Sequence, residues 1–442
     1  MKLAVVVQRY GATINGGAEL HARYIAERLA SRHEVEVVTT CARDYVTWRN
    51  ELPPGRDEVN GVPVLRFPVD RERDPRDFGL RSAQVFARRH SLAQELAWLE
   101  SEGPASRALL RHLTGAAYDF IFFFSFRYHH AYHGVRAVPA RAVLVPTAER
   151  DPAVGLALFG PVFRGVRATM FNSLEERAMI RAVAGGVDLP GVVVGVGSEL
   201  PESVSPERFR HKYGVRGPFV IYVGRIDRNK GCTELFAHFL RYAARRRDGL
   251  SLVLVGQSIL TVPGHPRIRH LGFLPDQDKF DAMAAAGALV MPSYFESLSM
   301  VTLEAWGLGR PVLVNGRCDV LRGQCVRSNA GFYYESPEEF GEALWALTDN
   351  PVLNSALGRN GREHYRRHYA WPVILRKYEE TLERLQQEDR EGRPRPGLEP
   401  LPGWWARRRR DLPPAEEVLG GVPSGPVVPR RGGGARERRS ER

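Results

Sequence analysis

Two α/β domains, each a doubly wound parallel sheet and facing one another across a cleft, form the fold this sequence predicts. Three observations carry that expectation. The chain has 442 residues, more than a single hydrophobic core usually organises. Strand and helix signals alternate along it in two runs, with a break near 195–218. Two strand–loop–helix corners in the second run carry charged residues, and the carboxyl ends of strands are where open α/β sheets bind ligands.

In the first run, strands are predicted at 3–8, 35–39, 120–124, 142–145, 168–171 and 192–196. A glycine-rich loop follows the first strand, and Leu20, Tyr24, Ile25 and Leu29 recur at helical spacing over 19–30. Segment 120–124 is wholly apolar and aromatic, as expected of a central parallel strand buried on both faces. A helix starts after Ser173, and 70–106 reads as an arginine-rich helical excursion. The second run predicts strands at 219–223, 251–255, 288–291, 311–314 and 331–334. Segment 371–387 is an amphipathic helix with Ile374, Tyr378, Leu382 and Leu385 on one face. The expected division is an upstream domain over 1–200, a downstream domain over 201–370, a connecting helix over 371–388 and a tail over 389–442.

The two corners carry the chemistry. Strand 219–223 runs into Gly224, Arg225 and Lys230 before a helix that starts near Thr233. Arg offers a planar fork to phosphate and Lys a compact charge. The apolar run ending at Met291 leads to Glu296 in a loop and Glu304 inside a helix that opens near Ser299 and Met300. Backbone N–H groups at a helix start favour an anion. An acid about five residues further in lies roughly 7–8 Å along the axis. That spacing suits a ligand with a charged middle and hydroxyl-bearing ends. Ser293 and Glu296 also fit an S-x-x-E capping box, and each cation taken singly also reads as a solvated surface residue.

With G-R-x4-K-G at 224–231 and E-x7-E at 296–304, about residues 1–388 resemble the retaining glycosyltransferases of family 4, which have the GT-B architecture. The resemblance implies two Rossmann-like domains and a last helix that crosses back to the first. It implies transfer of a sugar from a nucleotide diphosphate sugar to a sugar or lipid-linked acceptor hydroxyl, in glycan, polysaccharide or glycolipid synthesis. The upstream domain would take the acceptor and the downstream domain the donor. Arg225 and Lys230 would hold the diphosphate, Glu304 the ribose and Glu296 the sugar hydroxyls. Gly16 and Gly17, in the loop after the first strand, would border the diphosphate. Many relatives read E-G-F-G where this chain has Glu296-Ser297-Leu298-Ser299. Close relatives often carry a His-Asp pair where it has Glu149-Arg150-Asp151, so Glu149 is the candidate for contacting the reacting sugar and Asp151 a weaker one. Asn172 also matches a family signature. His129, His130 and His133 follow strand 120–124 and would line the acceptor side of the cleft. No cofactor and no metal are expected beyond the donor substrate. The alternatives are a nucleotide-sugar epimerase of the same fold and a catalytically idle nucleotide-sugar-binding or scaffold protein.

Composition adds little about function. The formal charge of +12 rests on 58 Arg and only five Lys, a compositional bias that nonetheless attracts anions. No nucleic-acid-binding module is present in the pattern. Four cysteines, Cys41, Cys232, Cys318 and Cys325, lack metal-like spacing and read as reduced, buried thiols. The apolar run 3–7 is too short for a signal peptide, and no run approaches the ~20 residues of a membrane span. The cytoplasm is the expected compartment. The tail, with 12 Arg against seven acids over 391–442, is expected to be disordered. Its Trp404, Trp405 and Arg407–Arg410 cluster suggests weak contact with an anionic membrane surface.

Overall fold

The computed structural model describes residues 1–14, 16–393 and 397–428. Among the described residues, fourteen strands form two sheets. The upstream strands are β1 (Lys2–Val6), β2 (Glu34–Thr40), β3 (Gly55–Val59), β4 (Val62–Phe67), β5 (Phe120–Phe124), β6 (Ala142–Val145), β7 (Ala168–Phe171) and β8 (Gly191–Val193). The downstream strands are β9 (Phe219–Val223), β10 (Ser251–Val255), β11 (Ile268–His270), β12 (Leu289–Met291), β13 (Val312–Asn315) and β14 (Gly331–Tyr334). The first sheet runs β3-β4-β2-β1-β5-β6-β7-β8 and the second β11-β10-β9-β12-β13-β14. Every pairing is parallel except β3 with β4. Parallel strands need helical crossovers, which cover both faces and explain why β5 and β9 are apolar at every position and fully buried.

The hairpin β3–β4 and the short β11 are additions to the predicted set. Asn60 and Gly61 close the hairpin, both at positive φ (52° and 78°), an N-G turn of the kind that matches strand twist. The arginine-rich excursion resolves into helices Pro75–Ala87 and Leu92–Glu102, which bury Val85, Trp98 and Leu99 in the upstream core.

Helix Trp371–Arg390 crosses back to the upstream sheet. Ile374, Tyr378, Leu382 and Leu385 pack in one cluster with Val5, Phe122 and Val143. His33 Nε2 lies 2.9 Å from Glu379, and Lys377 donates to the Val194 carbonyl at 2.9 Å. Burial of four large apolar side chains, each worth roughly 1.5–3 kcal/mol, fixes this helix to the domain it did not grow from.

The tail departs from the expectation of disorder. Residues 397–428 lie along the upstream domain, with Ala415 fully buried and Val422 nearly so. Leu412 exchanges backbone hydrogen bonds with His90. A Cβ on Gly155 would meet the Ala415 carbonyl at 2.3 Å, so glycine there admits the tail. The end of this segment bridges the domains. Arg150 donates to the carbonyls of Leu419, Val422 and Pro423, while Gly425 N–H donates to Asp319 at 2.8 Å. Val427 gives its N–H to Glu175 and takes Arg327 on its carbonyl. Segments 394–396 and 429–442 of the predicted tail lie outside the described residues.

Candidate active site

Sheet order brings the two sequence corners together. In the second sheet β9 has β10 on one side and β12 on the other, so the connection after β9, to β10, and the connection after β12, to β13, run in opposite directions. A crevice opens between the loops after β9 and β12, which carry 224–231 and 292–299. The first sheet makes the matching reversal at β1, flanked by β2 and β5. The two crevices face each other and enclose a cavity of about 370 Å³. Its wall includes Arg225, Lys230, Glu296, Ser299 and Met300 from downstream, and Gly17, Glu149 and Asn172 from upstream.

Within it, Lys230 Nζ sits 2.7 Å from Glu296 Oε1. The helix opens where the sequence places it, spanning Met300–Gly307 with Ser299 at its N-cap; the alternative Ser293–Glu296 capping box does not form, and Glu296 in the loop takes the lysine. Burial works against the Lys230 charge, but Glu296 and Glu149 outweigh it and hold its pKa above the ordinary value. Arg225 is half exposed. It pairs with Asp227 and donates from Nη1 to the Tyr45 hydroxyl at 2.8 Å, a bond that crosses the cleft. Asp227 also accepts the Lys230 N–H at 2.7 Å, so one buried acid sets the loop that carries both cations.

Ser299 has φ +71°, the left-handed conformation that favours glycine. The departure from E-G-F-G thus retains a glycine-like backbone. The Ser299 hydroxyl lies 2.9 Å from that of Thr302. Ser125 (φ 64°) and Thr147 (φ 47°) also line the cavity, and their hydroxyls meet at 2.8 Å. Three of the six non-glycine residues at positive φ among the described residues therefore face one cavity, which is where backbone strain tends to be retained for function.

Glu304 does not line this cavity. It is buried within helix Met300–Gly307, with Lys279 3.3 Å from Oε1 and no hydrogen-bond partner for Oε2 among the described residues. Burial raises its pKa, and Lys279 opposes the shift. Gly16 and Gly224 also stand outside the wall: Gly16 is the N-cap of helix Gly17–Leu29, and Gly224 (φ +147°) turns the chain out of β9.

Glu149 faces the cavity, and burial raises its pKa, with Lys230 opposing and Glu296 adding to the shift. Asp151 is committed elsewhere, to Arg127 at 2.6 Å and to the Ala153 N–H at 3.0 Å. Arg150 holds the tail and pairs with Asp319 at 3.3 Å. The expectation that three histidines line the cleft fails: none belongs to the cavity wall. His130 is buried with Nε2 toward the Phe124 carbonyl, and His129 and His133 turn to Glu100, because the helix His129–Ala137 points them away from the strand end.

The sequence reading omitted several wall residues. Arg9 pairs with Glu19 at 2.6 Å and lies over the Tyr45 ring. Gln8 Oε1 is buried and lacks a partner among the described residues, as does Oδ1 of Asn172, which the sequence singles out. Asn172 also donates to Ser297 at 3.2 Å across the cleft. The one available signal for Gln8 and Arg9 was their place directly after the first strand.

Comparison with known proteins agrees with this geometry. Residues 217–350 match the family model described as Glycosyl transferases group 1. That match covers most of the downstream domain. Among relatives, alpha-maltose-1-phosphate synthase of Mycobacterium tuberculosis is 25% identical over 241 residues, 48% of this chain and 58% of the relative. The match to that relative thus spans little more than half of its length. The 2-deoxystreptamine glucosyltransferase of Streptomyces kanamyceticus is 28% identical over 55% of this chain and 73% of its own. Sucrose-phosphate synthase from Thermosynechococcus elongatus superposes with a TM-score of 0.63 at 16% identity, covering 88% of this chain and 98% of that one. Anabaena HepE, solved in complex with UDP and glucose, gives 0.62 at 19% identity over 87% and 100%. The architecture is GT-B.

Proposed function

We propose that this group 1 glycosyltransferase-fold protein transfers a glycosyl unit from a nucleoside diphosphate sugar to an acceptor hydroxyl with retention of anomeric configuration, in glycan or glycolipid synthesis. The observation that carries the reading is the convergence of Arg225, Lys230, Glu296 and the first amides of helix Met300–Gly307 on one cavity, opposite Glu149. The difficult step is breaking the anomeric C–O bond while charge builds on the departing diphosphate. Two cations and a helix N-terminus lining one crevice stabilise that charge as it forms. Glu296, fixed by Lys230, orients the sugar hydroxyls. Retention follows from attack on the face the diphosphate leaves, with its phosphate oxygen taking the acceptor proton. Glu149 contacts the reacting sugar. No cofactor beyond the donor is invoked.

HepE was solved with UDP-glucose and a Corynebacterium glutamicum relative is named for GDP-mannose, which makes these two the first donors to test. Incubation with each, with and without sugar and lipid-linked acceptors, and proton NMR of the anomeric product tests the proposal. An α-donor giving a β-product contradicts retention. Isomerised donor without transfer contradicts the reaction class.

Among the described residues no helix is long and apolar enough to cross a membrane. We also propose peripheral contact with anionic bilayers through the tail, where Trp404 and Trp405 are exposed and stacked beside Arg408. Equal co-sedimentation of wild type and a Trp404→Ala/Trp405→Ala variant with anionic vesicles contradicts it.

A further inference from the structure

On the outer side of the upstream domain, away from the cavity wall, two histidines and a glutamate bring their ligand atoms together. His129 and His133 lie one turn apart on helix His129–Ala137, the i, i+4 spacing that puts two side chains on one face. Glu100 reaches them from helix Leu92–Glu102. Its Oε1 is 3.4 Å from His129 Nε2 and 3.1 Å from His133 Nε2, and all three ligand atoms lie within 4.8 Å of one another.

The two carboxylate–imidazole separations match the edges of a metal polyhedron. Zinc bonds of about 2.0–2.1 Å to imidazole nitrogen and carboxylate oxygen set tetrahedral edges of roughly 3.3–3.4 Å. Two imidazoles and a carboxylate, with the fourth direction toward solvent past the half-exposed Glu100, form a donor set suited to zinc and its first-row neighbours rather than to magnesium or calcium. His129 is buried, and its backbone N–H donates to the Gly103 carbonyl at the end of the Glu100 helix, at 3.1 Å.

We propose that Glu100, His129 and His133 form a binding site for a divalent first-row transition-metal ion, with Zn²⁺ as its probe. The ion does not touch the cavity, so it takes no part in glycosyl chemistry. Its effect is on position. Two residues after Glu100, Glu102 holds Arg127 at 2.7 Å, and Arg127 holds Asp151. Tyr128, directly before His129, lines the cavity. An ion at the site pins the helix end bearing Glu102 to the helix that follows this loop. The Nδ1 of His129 is buried without an acceptor among the described residues. Lack of that outer hydrogen bond makes the site weaker by about 10–100-fold than one with a supported ligand.

Untagged, metal-stripped protein titrated with Zn²⁺ by calorimetry is the test, with Co²⁺ absorption reporting coordination number. Glu100→Gln and His133→Gln, both at partly exposed positions, are checked for unchanged circular dichroism. His364→Gln removes one member of another close histidine pair, His364–His368, and serves as the control. The proposal expects one Zn²⁺ per chain, tetrahedral Co²⁺ bands, a Tm raised by Zn²⁺, and a loss of affinity of about tenfold or more in each ligand variant but not in the control. No saturable zinc binding in the wild type, or binding that Glu100→Gln and His133→Gln leave unchanged, overturns it. Because the readout is binding, it stands or falls independently of the proposed transfer activity.

Discussion

Lys230 Nζ lies 2.7 Å from Glu296 Oε1, so the cation of one sequence motif and the acid of the other meet as an ion pair in the crevice between β9 and β12. The Glu296 side chain is only 10% exposed and shares the cavity with Glu149, so removing the lysine leaves two carboxylates close together without their common partner. Lys230→Ala is expected to lower transfer by about 100- to 1,000-fold, the range for a lost transition-state donor. It should also lower Tm. In Lys230→Ala/Glu296→Gln the Tm should recover towards wild type while transfer stays low, because the buried charge is gone but the diphosphate contact is not restored. Differential scanning calorimetry with transfer kinetics on the three variants checks this.

Ser299 keeps a left-handed backbone that glycine adopts freely. Ser299→Gly relieves about 1–2 kcal/mol of strain, gives back about 0.4–1 kcal/mol through the freer unfolded chain, and loses the Thr302 contact. Its stability is therefore expected within about 1 kcal/mol of wild type. Ser299→Val, β-branched at positive φ and nearly buried, is expected to cost about 2 kcal/mol or more. Urea unfolding of both variants measures the difference.

His21 gives the stability a pH dependence. It packs edge-on against Phe124 and lies 3.5 Å from the Tyr378 hydroxyl of the crossing helix, and burial pushes its pKa down to about 3 from 6.5. Between those values the unfolded chain holds a proton that the folded protein lacks. Stability from this group is full above pH 6.5 and falls on acidification by up to about 1.4 kcal/mol per pH unit. His21→Leu should flatten the curve of unfolding free energy against pH over that range; parallel curves contradict the assignment.

Arg150 binds three carbonyls of the tail and Asp319 of the other domain. Arg150→Ala is expected to free segment 419–428. Hydrogen exchange at the amides of Gly425 and Val427, bonded to Asp319 and Glu175, should accelerate while amides of β5 and β9 stay protected. The Tm should fall by the equivalent of about 1–2 kcal/mol.

Much of this was legible in the sequence. Parallel strands covered on both faces are continuous apolar runs, so 120–124, 142–145, 168–171 and 219–223 could be bounded to the residue. The motifs at 224–231 and 296–304 bring Arg225, Lys230 and Glu296 to the downstream crevice, whereas Gly224 and Glu304 fall outside its wall. The tail was not legible, because its docking rests on isolated apolar residues such as Leu398, Ala415 and Val422, and on side chains binding its carbonyls, within a stretch rich in Pro, Gly and Arg. The histidines follow a strand end but do not face the cleft, because a helix starting at His129 rotates successive side chains away. The pairing of Lys230 with Glu296, 66 residues apart, depends on β12 lying beside β9, an order that strand patterns do not encode.

The central claim is that Arg225 and Lys230 grip a diphosphate. Calorimetric titration of wild type, Arg225→Ala and Lys230→Ala with UDP, GDP and ADP, and with the matching nucleosides, tests it most directly. The account predicts that one diphosphate binds wild type at least tenfold tighter than its nucleoside, and that both variants lose this margin. A diphosphate and nucleoside of equal affinity, or a margin untouched by either substitution, contradicts it.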